Sequence, residues 1–413
     1  MRLRACILAI AVVTPLRAFA QTPPPPEAAP PPPPPPVVVA PPAETPPPPP
    51  PPAAAPMAPA AVVAAPAAPA AAGPKITWGG LVDTYYMYLL NKGSAVNSLS
   101  GATDVRQFDV LTNSASLSLA ALTMNASMDP VALQLDMGYG TTGAIINSVN
   151  NNSFGQGNFI ILQAYGTITV LPQLTLDFGK FYTTAGAEVV PANKNWLYSR
   201  SFLFFNIPLL HTGARANFKV NDQLTLQASL VNGWNDDPDV NAWKTIGLSA
   251  SFTASPMVAV TATTYFGKEA PQGTPAMPVA DTPGDLRFLA DVVLALTLSD
   301  KLGVNVNVDY VKAPGPTNAG ADYFVGAAAM ARFVISDHLN VAARGEWGRN
   351  HTDGAPTPNQ DLIEGTVMLG IDVGKNFELR PEFRIDHRGQ DAVFTSNGKS
   401  DQFTGTIAAL TYF

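Results

Sequence analysis

Only one cysteine, Cys6, occurs in the 413 residues, and it lies in the first apolar run. Downstream of it no disulfide can brace the chain, which suits a protein that crosses an oxidising compartment unfolded. Charge is also scarce. Asp, Glu, Lys and Arg make up 13% of the residues, about half the usual share. Long apolar runs are missing too: beyond residue 20 no stretch stays apolar for the ~18 residues that a membrane helix needs. Low charge without helical spans fits a membrane β-barrel, whose strands are apolar only at alternate positions.

The N-terminal residues read as an export signal, spanning 1–20. Arg2 and Arg4 precede the apolar run CILAIAVV, and Ala18-Phe19-Ala20 offers a small-x-small cleavage site before Gln21. Cys6 follows the basic residues directly, with no apolar run before it, so a lipoprotein acylation site is rejected. Loss of the segment, with its three arginines, takes the net charge from −7 to −10. Nucleic acid is not expected as a partner.

Residues 21–74 hold 25 of the 41 prolines. Proline fixes φ and has no amide hydrogen, so neither helix nor sheet propagates there, and polyproline II is expected. Fully extended, the tract would reach about 165 Å at ~3.1 Å per residue. It reads as a semi-rigid periplasmic linker; the sharper alternative is a tether that touches the cell wall.

From Lys75 the texture changes to strand-like runs separated by alternating short turns and long polar loops. The run NFELRPEFRIDHR (376–388) shows the principle. Phe377, Leu379, Pro381, Phe383 and Ile385 share one parity, while Glu378, Arg380, Glu382, Arg384, Asp386 and Arg388 share the other. A helix would scatter these charges, whereas a strand gathers them on one face. The spacing predicts about 16 strands over 75–413, with both ends on the short-turn side, which is the pattern of a closed antiparallel transmembrane barrel in the outer membrane. Hydrocarbon offers no hydrogen-bond partner to a strand edge, so the sheet must close. Pro381 removes one ladder bond, and a local bulge is expected to absorb it. A secreted all-β sandwich is the competing fold, since strands every 8–12 residues also describe sandwiches.

The stretches LDFGKFYTTAGAEVV (176–190), NKNWLYSRSFLFFNIPLLHTGARANF (193–218) and VNGWND (231–236) resemble the OmpL-like β-barrel porin family of Gram-negative bacteria. The resemblance extends over most of 75–413 and excludes the proline tract. It implies a channel for small solutes, and recognition of the terminal Phe413 by the barrel-assembly machinery.

In a water-filled lumen the ladder charges would line the passage, joined by Arg344 and Glu346 on the strand near 338–348 and by Arg215 and Lys219 on that near 211–220. This surface reads either as a selectivity filter or as a salt-bridged wall. Loop 183–210 carries Glu188, Lys194 and Arg200 among many aromatics, and is expected to fold inward and set the constriction, as the third loop of general porins does. Packing over the rim or at a subunit contact is the alternative. The four histidines, His211, His338, His351 and His387, have no metal-ligand spacing. No GxSxG elbow or phosphate-cradling loop occurs, and no enzyme, cofactor or metal is expected. A Ser/His pair facing lipid would meet only in space and stays open. Two functions compete: passive diffusion of small hydrophilic solutes or ions, and a structural or adhesive barrel with a plugged lumen.

Deletion of residues 21–74 is expected to leave envelope fractionation and cell-wall association unchanged. Lost wall association in the deletion strain would establish the tether instead.

Overall fold

The computed structural model describes residues 73–91, 106–149, 157–239, 241–269, 285–312, 322–355, 358–390, 392, 394 and 397–413. The expected export signal, residues 1–20, and all of the proline tract but residues 73 and 74 lie outside them. Sixteen strands form in chain order. They are β1 (Lys75–Leu89), β2 (Ala115–Met128), β3 (Val131–Tyr139), β4 (Phe159–Leu171), β5 (Leu174–Tyr182), β6 (Leu210–Lys219), β7 (Leu224–Val231) and β8 (Thr245–Ser255). Then come β9 (Val258–Glu269), β10 (Asp285–Thr297), β11 (Leu302–Lys312), β12 (Tyr323–Ser336), β13 (Leu339–His351), β14 (Asn359–Asp372), β15 (Phe377–Arg388) and β16 (Asp401–Tyr412). Two helices, α1 (Thr141–Val149) and α2 (Phe202–Asn206), lie in connections.

Each strand pairs antiparallel with the next, and β1 pairs with β16, so the sheet closes into a barrel. At the seam Gly80 and Phe413 exchange both backbone bonds, at 3.2 and 3.1 Å. A Cβ on Gly80 would sit 2.4 Å from the Phe413 ring, so glycine lets that ring lie flat over the seam. Closure leaves no edge for hydrocarbon to meet.

Side chains alternate as the sequence predicts. On β15 the residues Glu378, Arg380, Glu382, Arg384 and Asp386 are buried inside, while Phe383 and Ile385 are exposed outside. The same parity puts Trp78, Val82, Val367, Ile407 and Phe413 on the outer surface. Short turns of two or four residues join β2 to β3, β4 to β5 and so on; in one of them Asn221 Oδ1 accepts from the Gln223 and Leu224 amides, both at 2.8 Å. That side-chain turn is the reason such residues stand between strands.

Three local features differ from the sequence reading. The sequence reads as a strand over about 108–122, but β2 begins only at Ala115 and runs to Met128. Arg106 and Phe108 turn inward instead, because they have partners there: Asp109 for the guanidinium at 2.7 Å and Phe204 for the ring at 5.9 Å. The stretch 141–157 reads as an Asn/Gly/Ser-rich loop, yet part of it is helical, since Ile146 of α1 finds a buried position and Ser118 meets Thr142 at 3.1 Å. The expected bulge at Pro381 is absent. Pairing with β14 simply lapses between the Met368–Glu382 and Ile371–Leu379 pairs, and resumes in the same register.

Val367 lies outward on β14. The substitution Val367→Arg is expected to cost about 2–4 kcal/mol, measured by urea unfolding of the refolded barrel in lipid.

Candidate functional site: the lumen and the loop between β5 and β6

The connection 183–209 does not stay outside the sheet. Its neck is closed by the Thr183 amide donating to the Leu209 carbonyl at 3.0 Å. Gly186, at φ +85°, lets the two limbs approach: a Cβ there would lie 2.5 Å from Ile207 Cδ1. The loop then crosses the interior. Thr184 meets the Tyr265 hydroxyl of β9 at 3.1 Å, and the Ala187 amide donates to Asn307 Oδ1 of β11 at 3.0 Å. Leu197, Leu203, Phe204, Ile207 and Leu209 form an apolar cluster with Phe108 and with inward side chains of the wall.

An irregular backbone buried this way needs partners for its amides and carbonyls. The charged ladder supplies them. The Glu382 carboxylate accepts from the Tyr198 and Ser199 amides at 2.8 and 3.2 Å. Glu346 accepts from the Phe202 amide at 2.8 Å. Arg380 donates to the carbonyls of Ala192 and Asn195 at 2.9 and 3.0 Å. Arg344 donates to Ser199 O at 2.8 Å and Arg384 to Arg200 O at 2.6 Å. Acids thus serve backbone donors and arginines serve backbone acceptors, in charge-assisted bonds stronger than neutral ones. This is a physical reason for a ladder of both signs.

The wall charges also neutralise one another. Arg344 pairs with Glu364 at 2.9 Å and with Glu188 of the loop at 3.0 Å. Arg380 pairs with Glu378 at 2.8 Å, and Arg384 with Asp386 at 2.7 Å. Glu346 and Glu364 lie directly opposite across β13 and β14, so two like charges share one level. Arg344 and Arg384 stand close to both or one of them: Arg344 lies 3.7 Å from Glu346, and Arg384 lies 3.7 Å from Glu364.

The remaining anticipated residues fall elsewhere. Arg200 is buried and staples the loop to itself through Val189 O at 3.2 Å and through the carbonyls of Tyr198 and Val190. Lys194 sits exposed on a 3₁₀ turn, Ala192–Lys194. Arg215 pairs with Asp177 at 2.8 Å and packs against Phe181, 4.2 Å from the ring centroid. Lys219 is at the short-turn end and donates to Asp222 at 2.7 Å, which holds that carboxyl below its usual range. Arg388 lies near the long-loop rim over Phe394. Sequence reasoning missed Arg106, Asn307 and Tyr198, whose hydroxyl donates to Asp83 at 2.9 Å. Asn307 had a signal in its inward parity with Asn305 and Asp309; Arg106 had none.

Inward positions of β7–β9 carry small polar groups: Thr225, Gln227, Ser249, Ser251, Thr253 and Thr261. They are exposed or half-buried, with Ser249 and Thr263 at 3.0 Å and Ser251 and Thr261 at 3.1 Å. Among the described residues no group of three or more His, Cys, Asp or Glu is arranged to hold a metal ion.

The family model described as "Putative beta-barrel porin-2, OmpL-like" matches residues 75–413, the whole of the barrel. The chain belongs to this family. Its place is therefore the outer membrane, and its class is that of porin-like transport barrels. Solved porins share the fold of this OmpL-like chain. OmpF of Salmonella typhi, in complex with daunomycin, is 12% identical with a TM-score of 0.56, over 83% of this chain and 98% of that one. The outer-membrane channel DcaP of Acinetobacter baumannii is 14% identical with a TM-score of 0.54, over 83% and 98%. An anion-selective porin from Comamonas acidovorans is 9% identical with a TM-score of 0.54, over 82% and 100%. No curated protein matches the chain.

Arg344→Met leaves Glu188, Glu346 and Glu364 buried with one fewer cation. It is expected to destabilise the protein by about 3–5 kcal/mol and to speed amide exchange across 198–202. Unchanged exchange there would show that Arg344 does not hold the loop.

Proposed function

We propose that the protein is a passive pore for small hydrophilic solutes or ions, with loop 183–210 narrowing its lumen. Family membership supports a channel of the porin class. The observation that carries the finer reading is the loop backbone bonded to the ladder on one side of the interior, while the other side keeps hydroxyls and an amide accessible. Solutes pass along that polar side, and the hydroxyls and amide there replace part of their hydration at little cost. The buried ladder fixes the position of the loop, and the exposed Lys194 is the loop charge that passing ions meet. Passage needs no cofactor, and no bond of the solute is made or broken. Phe413 at the short-turn rim, three-quarters exposed, is available to the barrel-assembly machinery, and residues 21–74 serve as a periplasmic spacer.

A second reading, a structural barrel with a plugged lumen, is favoured by one observation: Phe108, Leu197, Leu203, Phe204 and Ile207 form an apolar cluster inside the sheet. Planar-bilayer recording separates the two. Discrete conductance steps are expected for the refolded full chain, and Lys194→Glu is expected to shift the reversal potential toward cation selectivity. A flat trace would select the plugged barrel; steps with an unmoved reversal potential would remove Lys194 from the passage.

A further inference from the structure

Away from the strand ends, the inward face of β3–β6 carries two carboxylates, Asp136 and Asp177, and one guanidinium, Arg215. Both acids are buried, and both oxygens of each have a donor. Asp136 accepts from the side-chain amides of Gln134 and Gln163, at 2.5 and 2.6 Å. Asp177 accepts from the Thr167 hydroxyl on one oxygen, at 2.6 Å. Its other oxygen accepts from Asn217 and from Arg215 Nε, at 2.9 and 2.8 Å.

Arg215 is in the opposite condition. Its Nε is spent on Asp177, but neither terminal nitrogen has a carboxylate or carbonyl partner among the described residues. Other interior arginines differ: Arg106, Arg200, Arg344, Arg380 and Arg384 each place a terminal nitrogen on a carbonyl or a carboxylate. Arg332 shares the unspent fork, near the short-turn end of β12, with its Nε on Asn340 Oδ1 at 3.2 Å. What sets Arg215 apart is its packing over Phe181, at 4.2 Å from the ring centroid, and Tyr165, at 5.4 Å.

A ring over a guanidinium closes that face, so a solute approaches in the plane. With Nε occupied, the open edge is the pair Nη1 and Nη2. Two parallel N–H donors match the two oxygens of a planar carboxylate. A tetrahedral phosphate would push an oxygen out of that plane toward the rings, and chloride offers a single point of contact. The rings also hold the side chain in place, so little freedom is lost on binding. Arg215 is half-buried on the same interior face as the half-buried Asn217 and Gln227 and the exposed Thr225, where water reaches it. We propose that Arg215 is a binding subsite for solutes that carry a carboxylate, which dock on Nη1 and Nη2 as they pass. The assignment rests on the reading of this barrel as a pore and names the class of solute the pore favours.

Two measurements on the refolded full chain separate the subsite from the pore. Saturation-transfer NMR in detergent reads propionate binding whether or not the lumen conducts. Planar-bilayer recording in potassium chloride reads the pore, with propionate added as a blocker. Propionate is expected to receive saturation and to reduce the open-channel current saturably. Arg215→Lys keeps the charge and loses the fork. It is expected to weaken both effects about tenfold and to leave the chloride reversal potential unmoved. Arg215→Gln is expected to lose propionate binding as well, and Lys301→Gln, in the exposed turn between β10 and β11, to change nothing. Cold-gel mobility confirms that each variant is folded. No saturation transfer, full propionate binding in Arg215→Lys, an equal loss in Lys301→Gln, or equally strong block by inorganic phosphate would each overturn the subsite. Arg215-dependent saturation transfer without conductance steps would uphold the subsite and overturn the pore.

Discussion

Every feature of this molecule depends on one constraint: in hydrocarbon, a backbone amide or carbonyl without a partner costs several kcal/mol. The closed sheet meets it outside, through fifteen antiparallel pairings of consecutive strands and the seam between β1 and β16. Once the sheet is closed, period-two alternation divides the side chains. One set meets lipid and loses nearly all its charge at mid-depth. The other is enclosed and holds most of the ionised groups of the strands.

The same constraint acts a second time inside. Loop 183–209 is neither strand nor long helix, so its backbone cannot satisfy itself. The wall of β13–β15 answers with carboxylates where the loop presents amides and guanidiniums where it presents carbonyls. Ion pairs among Arg344, Glu364, Arg384 and Asp386 keep the wall neutral enough to be buried. Removing one member of such a network leaves the others uncompensated, which is a larger penalty than any single bond is worth. The ladder therefore positions the loop.

Much of the fold was legible because period two is a local property. The parity of 377–388 can be read without knowing any neighbour, and the short turns announce themselves by Asn, Asp, Ser and Pro. The inward fold of 106–114 was not legible. The sequence reads as a strand from about residue 108, and only the distant Phe204 and Thr404 explain why Arg106 and Phe108 turn into the interior. At the site, the charged residues themselves could be picked out, but not their task. Whether Glu382 faces water or the Tyr198 amide depends on where a loop far away in the chain comes to rest. Pro381 was visible as a conflict, and its resolution was simpler than a bulge: two rungs are skipped and the register is kept.

The outer surface shows the same logic in reverse. Where side chains meet lipid they are apolar or small, and charge returns only at the rim. The barrel divides inside from outside once, and the five tryptophans report on that division. Trp347 is exposed on the lipid side, whereas Trp196 sits on the inner loop against β11, where a Cβ on Gly303 would come within 3.0 Å of its ring. Single-tryptophan variants reconstituted in brominated phospholipid measure which of them touches acyl chains. Strong quenching of Trp347 with none of Trp196 is the predicted result. Equal quenching of the two, or an unquenched Trp347, would contradict a lipid-embedded barrel with the loop folded inside.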